Sequence, residues 1–330
     1  MSLNVAQGSR FARILSVGSA IPSRVVDNEE MCTYIESSDE WIQQRTGIAE
    51  RRWIGEGEDL ESLSLAAARI AIERAGIEAS SIDTVILSTV SHFDQTPGLA
   101  PKLAAKLGAT DAAAYDISAA CAGFCYGIGQ ADALIRAGAA TNVLVIGAET
   151  LSEMINLEDR STAFLFADGA GAVVVGPSET NGISPVVWGS DGDQFEAIAQ
   201  AEPWPDAVAS GNKGVLTMQG QAVFRWATGF IADAAKRTLD AAGVTVDELD
   251  AFIPHQANDR ITNAMLRSLK LPEKVVVART IKNFGNNSAA SIPLAMDALL
   301  ASGEAKSGDT ALIIGFGAGL VYAGQVITLP

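Results

Sequence analysis

The chain has 330 residues, 23 Lys and Arg against 39 Asp and Glu, a formal charge of −16 and a 48% hydrophobic composition. That balance excludes a general nucleic-acid binder, which must neutralise phosphates, and a disordered chain, which could not be so apolar. Three cysteines and two histidines supply neither a disulfide framework nor a histidine-rich metal centre, and no apolar run reaches the roughly 18 residues of a membrane span.

The N-terminal stretch MSLNVAQGSRFARILSVGSA lacks a signal peptide's order of charged, apolar and cleavage regions, so a cytoplasmic protein is expected. Residues 66–83 then predict a helix closed by Gly76 and a short loop, and the apolar run TVILST at 84–89 predicts a buried strand. AAYDIS (113–118) reads as a strand, 122–138 as a helix, and VLVIGAE (143–149) and GAVVVG (171–176) as further strands. Gly, Pro, Ser and Asn then cluster in GPSETNGISP (176–185). Residues 189–217 form a long excursion with little periodicity, expected to wall or cover a site.

The second half repeats the first. Residues 233–250 align with 66–83 at a shift of 167, setting Gly243 on Gly76 and Asp250 on Asp83. An apolar run at 251–256 follows, and ALIIGFG (311–317) answers VLVIGAE. A duplicated α/β architecture follows, with halves at 1–177 and 178–330.

Three residues stand out against this frame. Cys121 sits at a strand-to-helix turn, where unpaired N–H groups and the helix dipole favour thiolate; Cys125, one turn on, reads as packing. An inert thiol is the alternative at either position. His255 follows the strand DAFI beyond Pro254, at the carboxyl end where open α/β sheets place ligands, whereas His92 has no comparable polar surroundings. Asn286, in NFGNNSAAS, occupies nearly the place in its half that Cys121 holds in the first; taken singly it is a turn residue. GFGAG (315–319) is too short for a dinucleotide fingerprint, but its N–H groups could join that of Cys121 in an oxyanion hole.

SSDEWIQQRTGIAERR (37–52), AACAGF (119–124), FADGAGAVVVG (166–176), PHQAN (254–258), GNNSAAS (285–291) and GFGAGL (315–320) together resemble the β-ketoacyl-acyl-carrier-protein synthase III family, in its actinobacterial form. They run through almost the whole chain in the family's order. The resemblance implies a thiolase-like fold, internally duplicated in five αβαβα layers, and a homodimer. It implies a catalytic Cys121, His255 and Asn286, with an oxyanion hole from the backbone of Cys121 and of Gly317 or Ala318. Cys121 would be acylated by an acyl-CoA primer and condensed with malonyl-acyl carrier protein after loss of CO₂, without metal or cofactor.

The same resemblance assigns Trp41, Arg45 and Arg160 to coenzyme A, and Gly220, Gln221 and Asn258 to the pantetheine channel. Gln221, where the family usually has Asn, and GNNS, where GNTS is commoner, depart from its pattern. Arg225, Arg260, Arg267 and Lys270 are expected to offer the acidic carrier protein a positive surface on an otherwise negative enzyme. Thr96 of a partner subunit, Leu151 and Phe166 are expected to bound the acyl pocket, the small Thr96 leaving room for medium or long primers. Three rivals remain at this level: a non-condensing or polyketide-starter acyltransferase of the same fold, a cysteine hydrolase, and a non-catalytic binding protein.

Overall fold

The computed structural model describes residues 3, 4, 6–211 and 214–330. Two five-stranded sheets dominate it. In the first the strands run Phe11–Ala20, Asp168–Ser178, Val143–Thr150, Thr84–Ser88, Ala113–Ile117 across the sheet. In the second they run Val187–Ser190, Val321–Thr328, Thr310–Gly317, Ala251–Pro254, Val276–Val277. Each sheet has two antiparallel pairings followed by two parallel ones in the same order, so one strand, Asp168–Ser178 or Val321–Thr328, runs against the other four. The parallel strands are continuous Val/Ile/Leu runs because both faces are covered.

Three apolar layers fill the spaces around these sheets. Helices Leu60–Ala75 and Ala100–Leu107 cover the outside of the first sheet, and Ala232–Ala242 and Asp259–Leu269 cover the outside of the second. Between the sheets lie Gly123–Ala137 and Ser291–Ser302, whose Phe124, Ile128, Ile292 and Met296 join both sheets in one core. The result is five layers, αβαβα. Gly76 and Gly243 both end their helices in the left-handed region, at φ 65° and 67°, as the repeat implies. Cys125 is fully buried in the central core, as a packing residue should be.

The 189–217 excursion is more ordered than its composition suggests. Ile198–Gln200 and Leu216–Met218 form a two-stranded hairpin around the helix Trp204–Ser210, while Asn212 and Lys213 lie outside the described residues. Among the described residues no helix is long and apolar enough to cross a membrane.

Candidate active site

A cavity of about 1000 Å³ opens where the two halves meet, with Cys121, His255, Asn286, Phe316 and Gly317 at its buried end. Cys121 belongs to a single 3-10 turn, Ala120–Ala122, between the strand Ala113–Ile117 and the central helix Gly123–Ala137. Ala120 takes φ 44°, a left-handed conformation that costs a non-glycine residue about 1–2 kcal/mol. Glycine lets the opposing strand come close. A Cβ on Gly317 would lie 2.8 Å from Cys121 Cβ and 2.9 Å from its Sγ. The backbone of Gly317 and Ala318 therefore borders the thiol, where an oxyanion hole needs its donors.

The turn's position favours thiolate, but burial outweighs it. Desolvation pushes the Cys121 thiol up to about 12; the Ser288 hydroxyl and the residue's own N–H pull the other way and do not compensate. At rest the nucleophile is a thiol.

His255 follows the strand Ala251–Pro254, its N–H held by Ile314 O at 2.8 Å. Its Nδ1 lies 2.7 Å from Ser291 Oγ, and that oxygen also accepts the N–H of Gln256 at 3.3 Å. Ser291 is buried, and donating its own hydrogen to Nδ1 satisfies it fully. Nε2 then carries the imidazole hydrogen and is a donor. Burial pushes the imidazole pKa down to about 3, so the ring is neutral. Phe316 packs edge-on against it, with ring centroids 5.3 Å apart.

Asn286 is pinned by a bridge to Phe166: its N–H donates to Leu165 O at 3.0 Å and its carbonyl accepts from Ala167 N–H at 2.9 Å. Its Oδ1 accepts the N–H of Ser288 at 3.0 Å. A backbone N–H can only donate, so the side-chain oxygen is identified and the NH₂ is left for the chamber. Ser288 delivers that N–H from φ 47°, matching the kink at Ala120. Ala120 and Ser288 are counterparts in the two halves, so the true mate of Cys121 is Ala289, and Asn286 matches Ser118. The shift of 167 read from the sequence sets Asn286 on Ala119, one residue from that counterpart.

At the exposed end, Arg160 and Arg45 sit over the Trp41 ring at 4.9 and 5.3 Å, and Phe164 packs edge-on against the same indole at 5.4 Å. Gly220, Gln221, Arg225 and Arg260 line the same opening, with the Arg260 guanidinium 5.1 Å from the Phe224 ring. Asn258 is there too, but its amide is already engaged. Its Oδ1 caps the helix Asp259–Leu269 through Arg260 N–H, and its Nδ2 donates to Arg45 O. Leu151 and Phe166 line the chamber, as do Ile198, Trp204 and Met218 of the excursion. Arg267 and Lys270 are exposed at the far end of their helix and do not reach the chamber; neither does Thr96, on an exposed loop. His92 does line it, its Nε2 3.3 Å from Pro97 O.

Ser291, Ser288 and Glu149 escaped the sequence reading. Glu149 is fully buried, the last acidic group one would place at the end of an apolar strand. Among the described residues no cluster of His, Cys, Asp and Glu is placed to hold a metal ion.

Comparison with known proteins bears on this geometry. The family model for 3-oxoacyl-[acyl-carrier-protein] synthase III matches residues 115–192, and that for its C-terminal part matches 239–329. A β-ketoacyl-[acyl-carrier-protein] synthase III of Streptomyces glaucescens is 57% identical over 327 residues, 98% of either chain. The mycobacterial β-ketoacyl-[acyl-carrier-protein] synthase III of Mycobacterium avium is 50% identical over 330 residues, 99% of this chain and 98% of its own. Among solved structures, a priming β-ketosynthase from a polyketide biosynthetic pathway superposes with a TM-score of 0.97 at 46% identity, covering 100% of this chain and 99% of that one.

Proposed function

The chain belongs to the β-ketoacyl-[acyl-carrier-protein] synthase III family, with its thiolase-like fold, and from that premise we propose that it is a decarboxylating condensing enzyme that starts fatty acid synthesis. The observation that carries this reading is the convergence of Cys121, the Nε2–H of His255 and the NH₂ of Asn286 on one chamber, the last two oriented by Ser291 and Ser288.

In the first stage Cys121 Sγ attacks the carbonyl carbon of an acyl-CoA, and coenzyme A leaves as its thiol. The N–H groups of Cys121 and of Gly317 or Ala318 hold the oxyanion. Trp41, Arg45 and Arg160 receive the nucleotide end of the coenzyme. In the second stage malonyl-acyl carrier protein loses CO₂, and its enolate oxygen is held by His255 and Asn286, both neutral donors. The enolate carbon attacks the acyl-enzyme, the bond to Sγ breaks, and 3-oxoacyl-carrier protein leaves. Substrates and side chains suffice for every step, so the proposal assigns no cofactor. Arg225 and Arg260 at the opening, with Arg267 and Lys270 further along the same helix, meet the acidic carrier protein. The enzyme acts in the cytoplasm as a homodimer, and Thr96 of a second copy closes the acyl pocket.

Intact mass after incubation with acetyl-CoA and longer acyl-CoAs tests the first stage. The wild type should gain one acyl group and Cys121→Ser none; the same adduct on the variant rejects Cys121 as nucleophile. Absence of CO₂ release from malonyl-carrier protein by the acylated enzyme would reject condensation in favour of simple acyl transfer.

A further inference from the structure

The acylation step leaves one proton without an acceptor. His255 has Nδ1 turned to Ser291 and hydrogen on Nε2, so it has no free lone pair for the Cys121 thiol. We propose that Glu149, acting through the Ser288 hydroxyl, takes that proton and returns it to the departing coenzyme A. The inference rests on the acyl-transfer reading above.

The residues are placed for it. Glu149 is fully buried one residue before the end of the strand Val143–Thr150, and no ion pair among the described residues includes it. A buried carboxyl without a cation is costly and calls for a reason. Its Oε2 is fully engaged, accepting from Ser91 Oγ at 2.7 Å, Val90 N at 3.1 Å and Thr89 Oγ1 at 3.2 Å. Its Oε1 is buried with no hydrogen-bond partner, and so is Ser288 Oγ. The Ser288 hydroxyl lies close enough to both Glu149 and Cys121 to favour the ionised form of each, without closing a well-formed hydrogen bond to either. An unpaired acceptor, an unpaired hydroxyl and a thiol thus stand in sequence. The approach is possible because Gly147, on the same face of the strand, rests on the carbonyl of Ala289; a side chain there would hold the Ser288 turn away.

The surroundings isolate this pair. Segments 89–91 and 288–290 present hydroxyls and no charge, and the Cys121 turn presents its thiol. Asp168, on the adjoining strand, turns its carboxylate to Ser152 and the N–H of Ile54. The helices packed on the strand meet it with apolar side chains. Burial raises the Glu149 carboxyl to about 7, so both of its protonation states are accessible near neutrality.

As Cys121 Sγ bonds to the acyl carbon, the S–H proton moves to Ser288 Oγ and the hydrogen of Ser288 moves to Glu149 Oε1. Collapse of the tetrahedral adduct breaks the bond from the acyl carbon to the coenzyme sulfur. The proton then returns from Glu149 through Ser288 Oγ to the coenzyme sulfur, leaving free coenzyme A thiol, acylated Cys121 and an ionised Glu149.

Single-turnover acylation of Cys121 by acetyl-CoA, quenched and read by intact mass across the neutral pH range, tests the relay, with coenzyme A affinity measured alongside. The wild-type rate should rise with pH through an inflection near 7. Glu149→Gln should lose the inflection and slow acylation at neutral pH by about 10²-fold with coenzyme A binding unchanged. Glu149→Asp should keep the inflection at part of the rate. Ser288→Ala should match Glu149→Gln, and the double variant should be no slower than either. A Glu149→Gln enzyme with the wild-type rate and inflection overturns the proposal, and so do two losses that multiply. If Glu149→Gln does not fold, Ser288→Ala decides by the same inflection: kept, it overturns the relay; lost, it supports it. A wild type that takes no acyl group at all removes the acyl-transfer reading itself, a different failure from a wild type that acylates and a relay variant that matches it.

Discussion

The two turns that meet at the chamber, 118–123 and 286–291, share a backbone and differ in what they carry. Each has a left-handed residue at the same place, Ala120 or Ser288, and each leads into a central helix. Each is contacted by a strand of the other half through glycine: Gly315 rests on the carbonyl of Cys121, and Gly147 rests on that of its mate Ala289. Chemistry then breaks the symmetry at three pairs. Cys121 faces Ala289, Ser118 faces Asn286, and Gly317, bordering the thiol, has Glu149 as its counterpart. One scaffold used twice has become a nucleophile with an open wall beside it and a donor with a buried carboxyl behind it.

The largest test of that division is Asn286→Asp, which keeps an acceptor for the Ser288 N–H but turns a chamber donor into an acceptor. CO₂ release from malonyl-carrier protein should fall on the order of 10²–10³-fold while acylation of Cys121 is retained. The matching change Ser118→Ala should cost far less. Equal losses from the two would erase the distinction between the turns.

Next in size is the stability effect of Glu149. Its folded-state pKa of about 7 lies above the ordinary 4.5, so the folded protein holds a proton that the unfolded chain releases. Its charge therefore costs nothing below about pH 4.5 and accumulates a penalty as pH rises toward 7, about 3 kcal/mol in all. Asp168, raised to about 6, acts in the same direction at lower pH, while His255, lowered to about 3, acts oppositely below its ordinary value. The difference between proteins isolates the term: urea unfolding should show Glu149→Gln gaining on wild type from pH 5 to 8. A constant difference would mean that the carboxyl ionises alike in the folded and unfolded states, so that its folded-state pKa is not raised.

The smallest effect sharpens the comparison where the halves remain alike. Gly76 and Gly243 end equivalent helices at nearly equal φ with open space around each. Gly76→Ala and Gly243→Ala should each cost about 1 kcal/mol, from backbone strain alone. Unequal thermal shifts would show that the two caps are not equivalent.

The features legible in the sequence are those written in local patterns. Glycine after an amphipathic run marked both helix ends, and an apolar run after each marked the buried strands. Cys121 was legible because it stands at a strand-to-helix junction. What escaped depends on contacts across the two halves. Nothing near Glu149 in the chain announces that the Ser288 turn passes over it, and a single acidic residue closing an apolar strand reads as a solvated end. The thiol's raised pKa was hidden for the same reason: the dipole is local, while burial comes from the whole fold. Asn258 shows the same limit: its motif marked a residue that lines the chamber, but not that its side chain also caps its own helix and donates to Arg45 O.

The shared central layer also governs how this protein can be divided. Residues 179–181 lie on the surface between the halves, so a cut there breaks no strand. Either fragment alone would expose one face of a central helix, and neither would hold a complete chamber, since Cys121 lies on one piece and His255 with Asn286 on the other. Co-expressed fragments should recover activity only by reassembling, which makes the chamber a built-in reporter of complementation between the halves.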